Sequence, residues 1–130
     1  MTVVLQQAVS PARAAAYLAG YDRVSGYVVR AAEVSAVTDL AGLRHLHGLD
    51  AGTGAVYILH VDTSPSWSLL AAGDRLDLPG ATVEGRHVPR FFLNHTRLTP
   101  GARLWRFEAD SAPVRVGTFR GVAHGWLDHT

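Results

Sequence analysis

Seven histidines and no cysteine set the chemistry open to this chain. Without cysteine there is no disulfide, no thiolate nucleophile and no thiolate metal site. His60 and Asp62 lie two apart in the apolar run "GAVYILHVD", a spacing that puts both on one face of a strand. His95 stands just ahead of a Thr-Pro-Gly turn in "NHTRLTPGARLWRF". Two histidines and a carboxylate are the donors of a facial metal site. Nothing in the spacing fixes His95 as the third donor, however, and no metal is expected. His95 with His60 or His124 also has the makings of a metal-free nuclease. One imidazole would act as base, one as acid, and an arginine would hold the phosphate. His45 and His47 point about 200° apart on a helix, so they cannot share a metal as an i, i+4 pair does. For the His60, Asp62 and His95 arrangement the quieter reading is a half-buried histidine hydrogen-bonded to its neighbours.

Other chemistries lack their motifs. There is no Gly-x-Ser-x-Gly elbow for a serine hydrolase, and the serines beside expected strands sit at helix caps. "GLDAGTGAV" runs into a strand, so it lacks the helix N-terminus on which a phosphate-binding loop depends.

Charge is small in sum and uneven in placement. The net charge is +1, and all twelve basic residues are arginine. Residues 31–85 carry seven acids against two arginines, and residues 86–120 carry seven arginines against Glu108 and Asp110. An arginine-rich C-terminal third suits a small anionic ligand, an acidic protein or a nucleic acid. A solvated strand surface, or pairing with the acidic half, gives the same pattern.

These residues need a scaffold to hold them. A chain of 130 residues, 48% hydrophobic, fits one domain over residues 1–130. No apolar run reaches the roughly 18 residues of a membrane span. The N-terminus does not read as a secretory signal, so a cytoplasmic location is expected. "SPARAAAYLAG" predicts a short helix capped by Ser10, with Pro11 in its first turn and Gly20 as its stop. "RVSGYVVRA" predicts a strand. "TDLAGLRHLHG" predicts a helix capped by Thr38 or Asp39, and "GAVYILHVD" a strand. "SPSWSLLAAG" repeats the Ser-Pro start and Gly stop of a short helix. Residues 74–88 read as loop with a short strand near Val83. "RFFL", "ARLWRFEA", "VRVGTF" and "VAHGWL" then follow as strands separated by turns. The fold class is α+β: one compact domain with a mostly antiparallel, twisted β-sheet and two or three short helices. Trp67, Trp105, Trp126, Phe91, Phe92 and Phe107 are expected in the core or along a cleft.

Three stretches together resemble the Arg-Ser-Glu class of mono-ADP-ribosyltransferases. "GYVVR" ends on Arg30 as that family's first strand ends on its arginine. "LHVDTSPSWSLLAAG" sets Asp62-Thr63-Ser64 where the family has Ser-Thr-Ser before a short helix. "RLTPGARLWRF" is similar to its Pro-Gly turn and following strand, and the resemblance spans most of residues 24–120. It implies a transferase or NAD glycohydrolase that takes NAD as substrate. Arg30 would bind the dinucleotide phosphates, and Thr63 and Ser64 would brace the site, with Trp67 also on the cofactor. The family's Glu-x-Glu is replaced here by Asn94-His95-Thr96. The acid would then come from Glu84 or Glu108, or His95 would replace it, or the domain would be inactive; Glu33 lies too early in the chain. His95, Glu108 and His60 are the catalytic candidates. This reading requires Arg30, Ser64 and His95 to meet in one cleft. The alternatives are a non-enzymatic module binding through its arginine-rich face, and the His-dependent nuclease.

Overall fold

The structure is a computed structural model. It describes residues 3–50, 54–65, 67, 70–71, 82–83 and 85–130. Among them the chain is mostly antiparallel sheet with two α-helices, and the sheet curls into a half-barrel. The elements in order are β1 (Val4–Val9), α1 (Pro11–Leu18), β2 (Arg23–Arg30), a 3-10 turn (Ala31–Glu33), α2 (Leu40–Leu46) and β3 (Val56–Asp62). After these come β4 (Leu70–Ala71), β5 (Thr82–Val83), β6 (Arg86–His87), β7 (Phe91–Arg97), β8 (Arg103–Phe107), β9 (Val114–Phe119) and β10 (Trp126–Asp128). Eight strands form one sheet in the order β10-β9-β8-β3-β1-β2-β7-β4, and β5 and β6 form a separate hairpin.

The helices start as their residues dictate. Ser10 accepts a hydrogen bond from the Arg13 amide at 3.0 Å, with Pro11 in the first turn. Asp39, not Thr38, caps α2 and accepts from the Gly42 amide at 3.2 Å. The Thr99-Pro100-Gly101 turn forms as its chemistry requires. Gly101 has φ +96°, the positive value that the third position of a type II turn needs, and the Ala102 amide donates back to the Thr99 carbonyl.

The central strand is the one the sequence hides. Val4–Val9 pairs with β3 over six positions, from Val4–Asp62 to Val9–Tyr57, and with β2 at Leu5–Arg30 and Gln6–Val29. Its pattern, VLQQAV, sets two glutamines side by side, so neither alternation nor a continuous apolar run marks it. Both glutamines work inside the sheet. Past Gln6 the strands β1 and β2 separate, and Gln7 Nε2 donates to the carbonyls of Ser25 at 2.8 Å and Tyr27 at 3.2 Å. A side-chain amide thereby replaces part of the missing ladder.

Two layers cover the sheet. On one face Leu5, Val9, Leu59, Val61 and Leu104 pack with Tyr17 and Ala14 of α1. Tyr17 is fully buried and its hydroxyl donates to the Arg23 carbonyl at 2.8 Å. Burial raises its phenol to about 12. On the other face Leu43 and Leu46 of α2 cover Val56, Ile58 and Val29. β3 therefore buries apolar residues on both sides, Val56 and Ile58 on one and Leu59 and Val61 on the other, as suits a strand covered by two layers.

Two sequence expectations need correction. In "SPSWSLLAAG", Leu70–Ala71 is a strand paired with Phe92 and Phe91, not helix; residues 66, 68, 69, 72 and 73 lie outside the described residues. Edge pairing to β7 satisfies backbone groups that β7 would otherwise leave open, and Ser-Pro and Gly serve turns as well as caps. Of the aromatics expected in the core or along a cleft, Trp67, Trp105, Trp126, Phe91 and Phe107 pack on the core and only Phe92 departs. Phe92 is exposed, Trp105 and Phe107 are half-buried, and Phe119 and Trp126 join a mainly aliphatic interior. No helix among the described residues is long and apolar enough to cross a membrane.

Candidate functional site

Gln6 is 6% exposed, one of two polar side chains buried among the described residues. It points from β1 to the α2 face and bonds to two histidines. His60 Nε2 donates to Gln6 Oε1 at 2.9 Å, and Gln6 Nε2 donates to His47 Nε2 at 3.0 Å. The amide fixes both tautomers: His60 carries its proton on Nε2, and His47 keeps a bare Nε2 as acceptor.

Both rings are neutral at physiological pH. Burial lowers His60 from 6.5 to about 4, helped by the Arg103 charge and opposed by Asp62. Burial likewise lowers His47 to about 4, with Arg90 and His60 adding to the effect. The second buried polar group is Arg90. It is 8% exposed and donates from Nη2 to the Leu46 carbonyl at the end of α2, at 2.8 Å.

The chain of three side chains lies between two cavities. The larger is about 690 Å³ and opens between the sheet and the segment leading into α2. Val4, Val34, Val37, Leu43 and Phe107 form its apolar wall, and His60, Gln6 and Arg103 its polar floor. The smaller, about 370 Å³, occupies the split between β1 and β2 beside His47, Gln7 and Arg90. The first is in the size range of small-molecule sites. It also has their composition: mostly apolar, with a few convergent polar groups and a perturbed titratable residue.

The residues singled out by sequence divide between this cavity and distant places. His60 is on the floor. Arg30 is on the rim at the end of β2, where its Nη1 meets Glu33 Oε1 at 3.2 Å and its guanidinium lies over the Phe91 ring at 4.7 Å. Thr63 is not on the lining; it follows β3 and stitches that strand to β1. Its Oγ1 accepts from the Val3 amide at 3.2 Å and its own amide donates to the Val3 carbonyl at 2.9 Å. Ser64 starts the following turn, its carbonyl accepting from the Trp67 amide at 2.9 Å. Trp67 packs on the opposite, α1-side core.

His95 does not join them. It is exposed on β7 at φ +44°, inside a bulge where Asn94 and His95 face the single residue Ser25. Ser25 is five residues from Arg30 along β2, or about 16 Å at the strand rise. The expected meeting of Arg30, Ser64 and His95 in one cleft is therefore not what the register builds. The antiparallel pairing of β7 on β2 sends His95 to the other end of the sheet. The same displacement separates His95 from His60 and Asp62, which removes the three-donor metal arrangement and the His60–His95 nuclease pair. Among the described residues no three metal-ligating side chains cluster. His124 lies exposed in the turn before β10.

The candidate acids fare similarly. Glu108 follows β8, whose Phe107 pairs with Val56, so it sits at the far end of β3 from Asp62. There it forms an ion pair with Arg106, at 2.7 Å. Glu84 lies outside the described residues. Glu33 holds Arg30, and its Oε2 is buried without a partner among the described residues. Most arginines of the basic third are also engaged within the chain. Arg103 meets Asp62 at 3.5 Å, Arg115 covers Trp105 at 5.0 Å and Arg120 donates to the His124 carbonyl at 3.0 Å.

Gln6, His47 and Arg103 are the site residues that sequence reasoning missed. The one available signal was a Gln-Gln pair flanked by Val, Leu and Ala, which no amphipathic element explains. No protein-family model, curated protein or solved structure matches the chain.

Proposed function

We propose that this chain is a small-molecule-binding domain, and that its site is the cavity between the sheet and α2. The observation that carries this reading is the placement of neutral His60, bonded to buried Gln6, on the floor of an apolar cavity of about 690 Å³. A buried amide bonded to two imidazoles costs desolvation that an aliphatic residue would avoid. Such groups belong where orientation and recognition are needed. N-phenyl-1-naphthylamine, a neutral dye that brightens in apolar surroundings, tests it. The dye is expected to bind saturably with one site per chain. Ala32→Trp, at an exposed position on the cavity lining, is expected to weaken that binding at least about tenfold without unfolding the domain. Unsaturable or absent dye binding would remove the reading.

A second reading is favoured by one relationship. Arg30 and Asp62 pair with Leu5 and Val4, so Arg30 and Thr63 stand at the same end of the sheet with only β1 between them. Of the three landmarks of the ADP-ribosyltransferase resemblance, Arg30 lines the cavity, and Thr63 bonds the backbone of Val3, which lines it too. On this reading the ligand is NAD, with Arg30 on its phosphates. NAD should then raise the unfolding temperature, and nicotinamide should be released. Arg30→Ala should abolish both effects. A chain indifferent to millimolar NAD ends this second reading and leaves the first intact.

A further inference from the structure

The polar groups of the larger cavity form a balanced set of charges. Its lining holds two charged side chains among the described residues, Arg30 and Arg103. Arg30 is paired with Glu33 at 3.2 Å, and Arg103 with Asp62 at 3.5 Å. Arg103 Nη1 is further used on the Gly101 carbonyl at 2.7 Å. His60 adds no charge. Its Nε2 proton is spent on Gln6, so its Nδ1 offers a lone pair, which has no partner among the described residues. Gln6 Nε2 gives one proton to His47 and keeps a second N–H. The floor therefore presents one acceptor and one donor, set in an apolar wall, with no uncompensated cation beside them.

We propose that the cavity selects a neutral, largely apolar ligand with one head group that both donates and accepts a hydrogen bond, an alcohol or phenol, and rejects the corresponding carboxylate. This inference rests on the small-molecule reading above. A hydroxyl donates to His60 Nδ1 and accepts from the remaining Gln6 N–H. A carboxylate only accepts, so it sets its oxygens against the His60 lone pair. It also surrenders its hydration where each cation already has an anion. Sites built to meet a donor discriminate strongly against groups lacking it, because their own buried polar atoms are left unpaired.

The probes are 2-naphthol, 2-naphthoate and naphthalene, alike in ring size, titrated calorimetrically into the full chain at pH 7.5. 2-Naphthol is expected to bind at least about tenfold more tightly than 2-naphthoate, with naphthalene between them. Asp62→Asn releases the Arg103 charge and is expected to raise 2-naphthoate affinity several-fold while leaving 2-naphthol unchanged. His60→Phe, where it folds, is expected to bring 2-naphthol down to naphthalene's affinity. Equal or tighter binding of 2-naphthoate by the wild-type chain overturns the selectivity and leaves the cavity reading standing. So does an Asp62→Asn variant whose 2-naphthoate affinity does not move. If none of the three probes binds and N-phenyl-1-naphthylamine does not bind either, the cavity reading itself fails.

Discussion

Gln6 and His47, 41 positions apart, are joined by a 3.0 Å hydrogen bond from the Gln6 amide to the His47 ring. The other end of the same amide accepts from His60. One side chain on the central strand thus ties β1 to β3 and to the end of α2. It also holds two imidazoles in complementary tautomers. Removing it should cost more than one hydrogen bond, since two buried ring nitrogens lose their partner together. Gln6→Leu is expected to lower the free energy of unfolding by about 2 kcal/mol or more, despite its greater hydrophobicity. Urea denaturation at pH 7.5 measures this. A variant as stable as wild type would show that the amide bonds contribute nothing net.

The two neutral histidines make stability depend on pH. Each ring titrates at about 4 when folded against 6.5 as a free side chain. The unfolded chain therefore binds protons first as pH falls, and it gains on the folded state. The contribution of the neutral rings is complete above about pH 6.5 and is lost between there and about pH 4. For a fully sequestered ring such a fall is worth about 3 kcal/mol, and less for His60, which is more open to water. Unfolding midpoints in urea should drop steadily from pH 7 to pH 4.5. His47→Leu should flatten that slope by close to one proton. A midpoint constant across this window would contradict the neutral burial of both rings.

Gly117 on β9 lets α1 lie against the sheet. A Cβ there would come within 2.5 Å of Leu18 Cδ2 and 3.2 Å of Trp126 Cε3. Gly117→Ala must then displace the Leu18 side chain and crowd the Trp126 ring, whose Nε1 donates to the Tyr21 carbonyl at 2.8 Å. Overpacking of this kind costs about 1–3 kcal/mol. Thermal unfolding should show a lower midpoint for the variant. Tryptophan fluorescence should report a changed environment at Trp126.

His95 is a backbone position more than a chemical one. Its φ of +44° is adopted at little cost by glycine and at real cost by a β-branched residue. His95→Gly is expected to fold with stability within about 0.5 kcal/mol of wild type, and His95→Val to lose about 1–2 kcal/mol. Neither should change N-phenyl-1-naphthylamine affinity, because the bulge and the cavity lie at opposite ends of β2. Loss of dye binding in a folded His95→Gly protein would put His95 back among the site residues.

The local features were legible because their causes are local. Ser10 and Asp39 cap helices through bonds to amides three residues on, and Pro100 and Gly101 set a turn through their own dihedrals. The later strands could be read from β-branched and aromatic residues between turn signals, and with them the α+β class. The strand at the centre could not be read this way. Gln6 and Gln7 break its pattern, and their value depends on partners 18 to 54 positions away. The same holds for the site. The sequence determined that His60 shares a strand face with Asp62 and that no cysteine chemistry is open to the chain. Only tertiary structure decided which groups meet His60, because strand register is a long-range property. The pairing of β1 with β3 brought in Gln6, the register of β8 on β3 brought in Arg103, and the packing of α2 on the sheet brought in His47. The antiparallel docking of β7 carried His95 to the far end of the sheet.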